Sequence, residues 1–130
     1  MKYLVDTDWA IDHLHNVRRV VQRLEELTPE GLGVSIVTLA ELYEGIFNST
    51  DPQGNERGLR DFLQGVSLVN LDEETCRIFG SERGRLRREG SMIADFDLMI
   101  AATCLRHDLT LLSNNRRHFE RVEGLTIISM

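Results

Sequence analysis

Lys2-Tyr3-Leu4-Val5-Asp6 is a short β-prone run that stops at a carboxylate, and Leu32-Gly33-Val34-Ser35-Ile36-Val37 is a second such run, leading into Thr38-Leu39-Ala40-Glu41-Leu42. Each run gives way to apolar residues at three- and four-residue spacing, the mark of a strand feeding a helix. After Asp6 the helical spacing covers Trp9–Leu14 and Val17–Leu27, and Thr28-Pro29-Glu30-Gly31 is turn chemistry. After Val37 it covers Thr38–Phe47. The stretch Asn48–Asn55 collects Asn, Ser, Asp, Pro and Gly and is expected to be a loop, before helical spacing returns over Glu56–Gln64.

Farther along, Val66–Leu71 reads as a third strand, and Asp72 is placed to cap a charged helix over Glu73–Glu89 that ends near Gly90. A core helix begins near Asp95 and continues through Leu105. Leu109–Leu112 reads as a strand, Arg116–Arg121 as a short helix and Leu125–Ile128 as a last strand. Strands alternating with helices predict a three-layer α/β/α sandwich with a mainly parallel central sheet. With no repeat or linker, residues 1–130 are expected to form one domain.

The bulk composition narrows the function classes. The longest apolar stretches, such as Leu98–Leu105, fall well short of the roughly 20 residues a bilayer span needs, and no basic region with a cleavage site precedes Tyr3. A cytoplasmic protein without a membrane role is the expectation. Cys76 and Cys104 both lie in apolar helical patterns and are expected to be buried thiols, not a disulfide. A formal net charge of −6 argues against a protein that coats nucleic acid by charge alone, so any such contact must be local.

In parallel α/β sheets, functional groups collect beyond the C-terminal strand ends. Asp6 sits at one such end, and Glu41 lies a helical turn beyond another. Asp95 and Asp97 start an otherwise apolar helix, while Ser113-Asn114-Asn115 follows the fourth strand. Converging carboxylates must take up protons or bind a cation, and an all-oxygen set suits Mg²⁺ or Mn²⁺ better than zinc. Metal-assisted phosphodiester hydrolysis is a natural use of such a set. Taken singly, each acid also reads as a cap, a turn residue or a solvated helix position.

The order and setting of three segments carry more. Tyr3-Leu4-Val5-Asp6-Thr7-Asp8, Thr38-Leu39-Ala40-Glu41-Leu42 and Asp97-Leu98-Met99-Ile100-Ala101-Ala102 resemble the successive signatures of PIN-domain nucleases. Leu111-Leu112-Ser113-Asn114-Asn115-Arg116-Arg117-His118-Phe119, followed by Val122-Glu123-Gly124-Leu125, is similar to the C-terminal signature of the VapC toxin subgroup. The resemblance implies that Asp6, Glu41 and Asp97 are metal ligands or water activators of an Mg²⁺- or Mn²⁺-dependent endoribonuclease. It also implies a cognate antitoxin whose C-terminal segment covers the site, a structured RNA substrate such as transfer or ribosomal RNA, and a homodimer. Asn115 falls where many relatives have a fourth acid, and Ser113 where a hydroxyl holds a water or a carboxylate. Asp95 and Asp97, about 200° apart on a helix, cannot both face one site from regular positions, so Asp95 is either the cap or an auxiliary ligand. Asp8 reads as a cap.

Arg116 and Arg117 follow the Asn115 position and are candidate RNA contacts, whereas Arg83, Arg85, Arg87 and Arg88 read more readily as a solvated face with partners such as Glu82 and Glu89. Trp9, Val20, Val21 and Phe47 are candidates for a dimer interface as well as for the core. His13 and His15 diverge on their helix, which disfavours a histidine metal site. Asp6-Thr7-Asp8 after a strand also resembles the opening of haloacid-dehalogenase-type phosphatases, but those need a downstream lysine and the only lysine here is Lys2. A catalytically weak PIN-like RNA-binding protein is the other reading, with Asn115 its main support. No G-x-S-x-G elbow or Cys-His loop pair suggests covalent hydrolysis.

Overall fold

The computed structural model describes every residue, Met1–Met130. Its centre is a five-stranded sheet in the order β3-β2-β1-β4-β5, formed by Tyr3–Val5 (β1), Leu32–Ser35 (β2), Ser67–Val69 (β3), Thr110–Leu112 (β4) and Ile127–Ile128 (β5). All four pairings are parallel; Tyr3 lies opposite Leu32 on one side and opposite Thr110 on the other. The helices are Thr7–Leu14 (α1), Arg18–Leu27 (α2), Ile36–Phe47 (α3), Pro52–Leu63 (α4), Glu73–Glu89 (α5), Asp95–His107 (α6) and Arg116–Phe119 (α7).

Strand alternation divides the core in two. Tyr3, Val5, Leu32, Val34 and Leu112 point to one face, where they meet Trp9 and Ala10 of α1, Val20 and Leu24 of α2, Leu42 and Ile46 of α3, and Leu59 and Phe62 of α4. Leu4 and Leu111 point to the other face, against Leu86 of α5, Leu98, Ile100, Ala101 and Cys104 of α6, and Phe119 of α7. The expected α/β/α sandwich is therefore present. No helix is long and apolar enough to cross a membrane.

Several boundaries differ from the sequence expectation for local reasons. Ser35 caps α3 by accepting a hydrogen bond from the Val37 amide at 3.1 Å, so the helix begins at Ile36 and the β-branched pair Ile36-Val37 is helical, not strand. The expected loop Asn48–Asn55 is cut short in the same way. Asp51 accepts from the Gly54 amide at 3.1 Å and Pro52 occupies the first helical position, turning Asp-Pro-Gln-Gly into a helix start. Asp72 does cap α5, accepting from the Thr75 amide at 2.8 Å, and Gly90 ends that helix with a left-handed φ of 68°. Cys104 is buried as expected, but Cys76 lies exposed on α5 and both thiols are free.

Candidate active site

The strand order reverses direction at β1, because the chain moves outward through β2 and β3 and then returns to place β4 on the other side. Crevices at such switch points, beyond the carboxyl ends of the strands, are where open α/β sheets place their chemistry. Asp6 leaves β1 and Ser113 leaves β4 at this point. The Asp6 amide donates to the Leu112 carbonyl at 3.0 Å, continuing the ladder one residue past the strand. Beyond it the Ser113 hydroxyl donates to Asp6 Oδ2 at 2.7 Å and itself accepts from the Asn115 amide at 3.0 Å.

Asp6 is only 4% exposed, an unusual position for a carboxyl group with no basic partner. Burial pushes its pKa up to about 7; the Ser113 hydrogen bond opposes the shift, while the nearby charges of Asp8 and Asp97 add to it. Burial likewise raises Asp8 and Asp97. Asp6, Asp8 and Glu41 make no ion pair, and the one basic side chain near these acids is His118, whose Nδ1 lies 3.8 Å from Asp97 Oδ2. The result is a pocket of uncompensated negative charge.

Glu41 approaches from α3 and accepts a hydrogen bond at 2.7 Å from Thr7 Oγ1, whose oxygen also lies 3.1 Å from Thr38 Oγ1. That bridge couples α1 to α3 across the mouth of the site. Asp97, in the first turn of α6, stands 3.5 Å from Asn115 Nδ2. Asp6, Glu41, Asp97, Ser113 and Asn115 are thus brought to one end of the sheet, although no three acids, imidazoles or thiols stand close enough to form a finished metal-ligand set. An Mg²⁺-type ion keeps several of its waters and needs one or two direct carboxylates, so an all-oxygen, proton-hungry cluster of this kind fits it without closing further.

Other residues fall elsewhere. Asp95 is neither cap nor ligand: Ala94 holds the cap position, and the Asp95 carboxylate points outward to Arg83 Nε at 2.9 Å. Once the helix starts at Asp95, the two acids are both in its first turn and the 100° step per residue separates them. Arg116 is committed to structure, bonded to Glu120 at 3.0 Å and to the Ile127 carbonyl at 3.1 Å, while Arg117 is exposed and unpaired. Arg85 pairs with Glu82 and Glu89, each at 2.7 Å, as a solvated face requires. Of the dimer candidates, Trp9 and Val20 are fully buried and unavailable, Val21 is half-buried, and Phe47 is 66% exposed.

Sequence reasoning missed three participants. Asp8, read as a cap, instead faces the site, its Oδ2 accepting from the Asn114 amide at 2.9 Å. Thr7 is the hydroxyl that holds Glu41. His118 enters the sequence reading only as part of the C-terminal signature, yet it lies against Asp97. The Asp6-Thr7-Asp8 spacing was a signal for the first two, because consecutive residues in the first turn of a helix all border the same strand end. Nothing local marked His118.

A parallel sheet with a buried acidic cluster at its switch point is the frame of a PIN-type nuclease, and the chain does match the PIN domain family model over residues 3–125. It is 33% identical over 127 residues to Ribonuclease VapC2 of Haemophilus influenzae, covering 96% of this chain and 95% of that protein. It is 31% identical over 125 residues to the tRNA(fMet)-specific endonuclease VapC of Shigella flexneri, with the same coverage of 96% and 95%. Among solved structures, VapBC2 from Rickettsia felis bound to a promoter DNA fragment superposes with a TM-score of 0.94 at 25% identity, covering 100% of this chain and 99% of that one. The chain belongs to the PIN-domain family and, within it, to the VapC ribonucleases.

Proposed function

We propose that this chain is a divalent-metal-dependent endoribonuclease and the toxin of a toxin-antitoxin pair. The observation that carries the reading is the buried Asp6 carboxyl at the switch point, raised to about 7 and facing Asp8 and Asp97 with no fixed positive charge against it. Keeping such a group costs stability, and a bound cation repays that cost.

Asp6, Glu41 and Asp97 are the proposed ligands of Mg²⁺ or Mn²⁺, with Asp8 facing the same centre. The ion supplies Lewis-acid stabilisation of a phosphodiester and a more acidic water. The rest is positioning by the protein. Ser113 fixes the Asp6 carboxylate through its 2.7 Å hydrogen bond, Thr7 fixes Glu41, and the Asn114 amide fixes Asp8. Asn115 stands against Asp97 as an amide in place of an acid. Arg117, free of internal partners, is the proposed phosphate contact at the rim.

The substrate is a structured RNA, with transfer RNA favoured by the Shigella flexneri relative's specificity. The partner is an antitoxin, as in the VapBC complexes whose toxin chains this one superposes on. A homodimer, in which the exposed Phe47 takes part, and a cytoplasmic location complete the proposal. Purified protein freed of its partner is expected to cut RNA at discrete sites with Mg²⁺ or Mn²⁺, and to lose that activity with EDTA, Asp6→Asn or Asp97→Asn. Full activity in both variants refutes the site assignment; no cleavage with any ion leaves the noncatalytic RNA-binding reading in its place.

A further inference from the structure

Three consecutive residues each address a different acid. The Ser113 hydroxyl donates to Asp6 Oδ2 at 2.7 Å, the Asn114 backbone N–H donates to Asp8 Oδ2 at 2.9 Å, and Asn115 Nδ2 donates toward Asp97 Oδ2 at 3.5 Å. These residues are the whole connection between β4 and α7. A carboxylate is oriented by the donors it accepts from, so one short loop sets the direction of all three acids together. It does so against their mutual repulsion, since the charges of Asp8 and Asp97 both bear on Asp6.

The loop is itself held through one side chain. Asn114 Oδ1 accepts from Trp9 Nε1 at 3.1 Å and from the Met130 amide at 2.8 Å, which occupies both lone pairs of that oxygen. Trp9 is fully buried and directly follows Asp8, and its backbone N–H donates to Asp8 Oδ1 at 2.7 Å. Asp8 is thus held at both oxygens, by Trp9 on one side and by Asn114 on the other, and the Asn114 carboxamide closes the ring between them. Met130 brings in the residues after β5, where the Ser129 hydroxyl donates to the Ser113 carbonyl at 2.5 Å. Asn114 is exposed, so core packing does not account for it.

From this arrangement we infer that Asn114 is a positioning residue of the nuclease site: its side chain locks the Ser113–Asn115 loop to α1 and to the chain after β5, and through that loop keeps Asp6, Asp8 and Asp97 in their mutual orientation. The inference rests on the metal-dependent reading above and adds a residue that acts on the ion and the rate, not on the grip on RNA. Without the Asn114 oxygen, the buried indole N–H of Trp9 loses its acceptor and the loop loses two of its ties, leaving the acids free to relax apart.

The test is calorimetric Mn²⁺ binding to the full chain, with kcat and KM measured on a tRNA(fMet) transcript, the substrate named for the Shigella flexneri relative. Asn114→Ala is expected to weaken Mn²⁺ by about tenfold and to lower kcat at saturating Mn²⁺ by about 10- to 100-fold, with KM held within about twofold. Asn114→Asp keeps the oxygen that Trp9 and Met130 need and restores both quantities to within about threefold of the wild type. Asp72→Ala, destabilised at the α5 cap and outside the site, keeps the wild-type Mn²⁺ affinity and kcat and so measures what lost stability alone does. An Asn114→Ala protein that melts lower yet keeps its Mn²⁺ affinity and kcat overturns this inference alone, as does an Asn114→Asp protein no better than Asn114→Ala. A raised KM with kcat unchanged also overturns it, because Asn114 is then an RNA contact. Absence of Mn²⁺ binding by the wild type overturns it together with the metal-dependent reading.

Discussion

Replacing Asp6 by Asn is expected to destroy activity and yet stabilise the metal-free fold at alkaline pH. The ordinary pKa of 3.8 describes the unfolded chain, and about 7 the folded one. Between these values the folded chain holds a proton that the unfolded chain has released, so stability falls as pH rises through the window and the loss is complete above about 7. About three pK units at 1.36 kcal/mol each set a ceiling near 4 kcal/mol. Two things reduce the expected gain. The amide's NH₂ brings a donor that needs a new partner in a site built around the Ser113 and Thr7 donors, and part of the shift is shared with Asp8 and Asp97. A gain of about 2 kcal/mol remains, which for a chain of this size is a rise in Tm of roughly 5–8 °C.

Thermal melts in EDTA at pH 5 and pH 8 measure it. At pH 8 the variant melts higher than the wild type by that amount, and at pH 5, where Asp6 keeps its proton, the difference shrinks to about a third or less. Adding Mn²⁺ at pH 8 reverses the order in part, because only the wild type gains from binding; a free ion concentration ten times the dissociation constant contributes about 1.4 kcal/mol. A variant less stable than the wild type at pH 8, or a Tm difference that does not change with pH, refutes the reasoning.

Thr7→Val removes the hydroxyl that holds Glu41 and is expected to lower the cleavage rate by about 10- to 100-fold, at a cost of only about 1 kcal/mol in a denaturant melt. Arg116→Ala is expected to lower Tm, because its guanidinium ties α7 to Glu120 and to β5, whereas Arg117→Ala leaves Tm unchanged and weakens RNA binding with a shallower salt dependence. Asp72→Ala removes the α5 cap and its ion pair with Arg106, and is expected to lower Tm at pH 7. Because Asp72 is held at about 2 in the folded chain, its stabilisation is present above 3.8 and lost as pH falls toward 2; the wild-type and Asp72→Ala melts are therefore expected to converge in acid. Leu111→Ala, in a fully buried strand position, is expected to cost about 3 kcal/mol and to abolish folding in combination with a second core truncation.

The sheet was legible because its information is local. Tyr3-Leu4-Val5 and Leu109–Leu112 are apolar on both sides of the alternation, as strands buried on two faces must be, and the helical spacing between them leaves little freedom. Where the reading failed, a single polar side chain decided the boundary: Ser35 begins α3 two residues early and Asp51 converts a loop into the start of α4. β-branching at Ile36-Val37 and the Asp-Pro-Gln-Gly composition both pointed the other way, and each was outweighed by a cap that satisfies an otherwise unpaired amide. Asp95 failed for a related reason: which of two adjacent positions is the cap sets which acid faces inward, and a one-residue difference rotates the helix by about 100°.

The site was half legible, and the division is physical. Asp6, Glu41 and Asp97 each stand just after a strand or in the opening turns of a helix, so the sequence position alone sets the end of the sheet at which they emerge. Thr7, Asp8 and His118 depend on distances between elements: Thr7 reaches Glu41 across 34 residues, and His118 reaches Asp97 through the packing of α7 on α6. Such contacts exist only once the sheet has set the spacing of its strands, so the Asp6-Thr7-Asp8 spacing marks the strand end that Thr7 and Asp8 border but not their partners, and nothing along the chain marks His118. They are also the contacts most open to change, since exchanging the residue at position 118 alters the group that stands beside Asp97 while leaving buried Phe119, and with it the placement of α7, untouched.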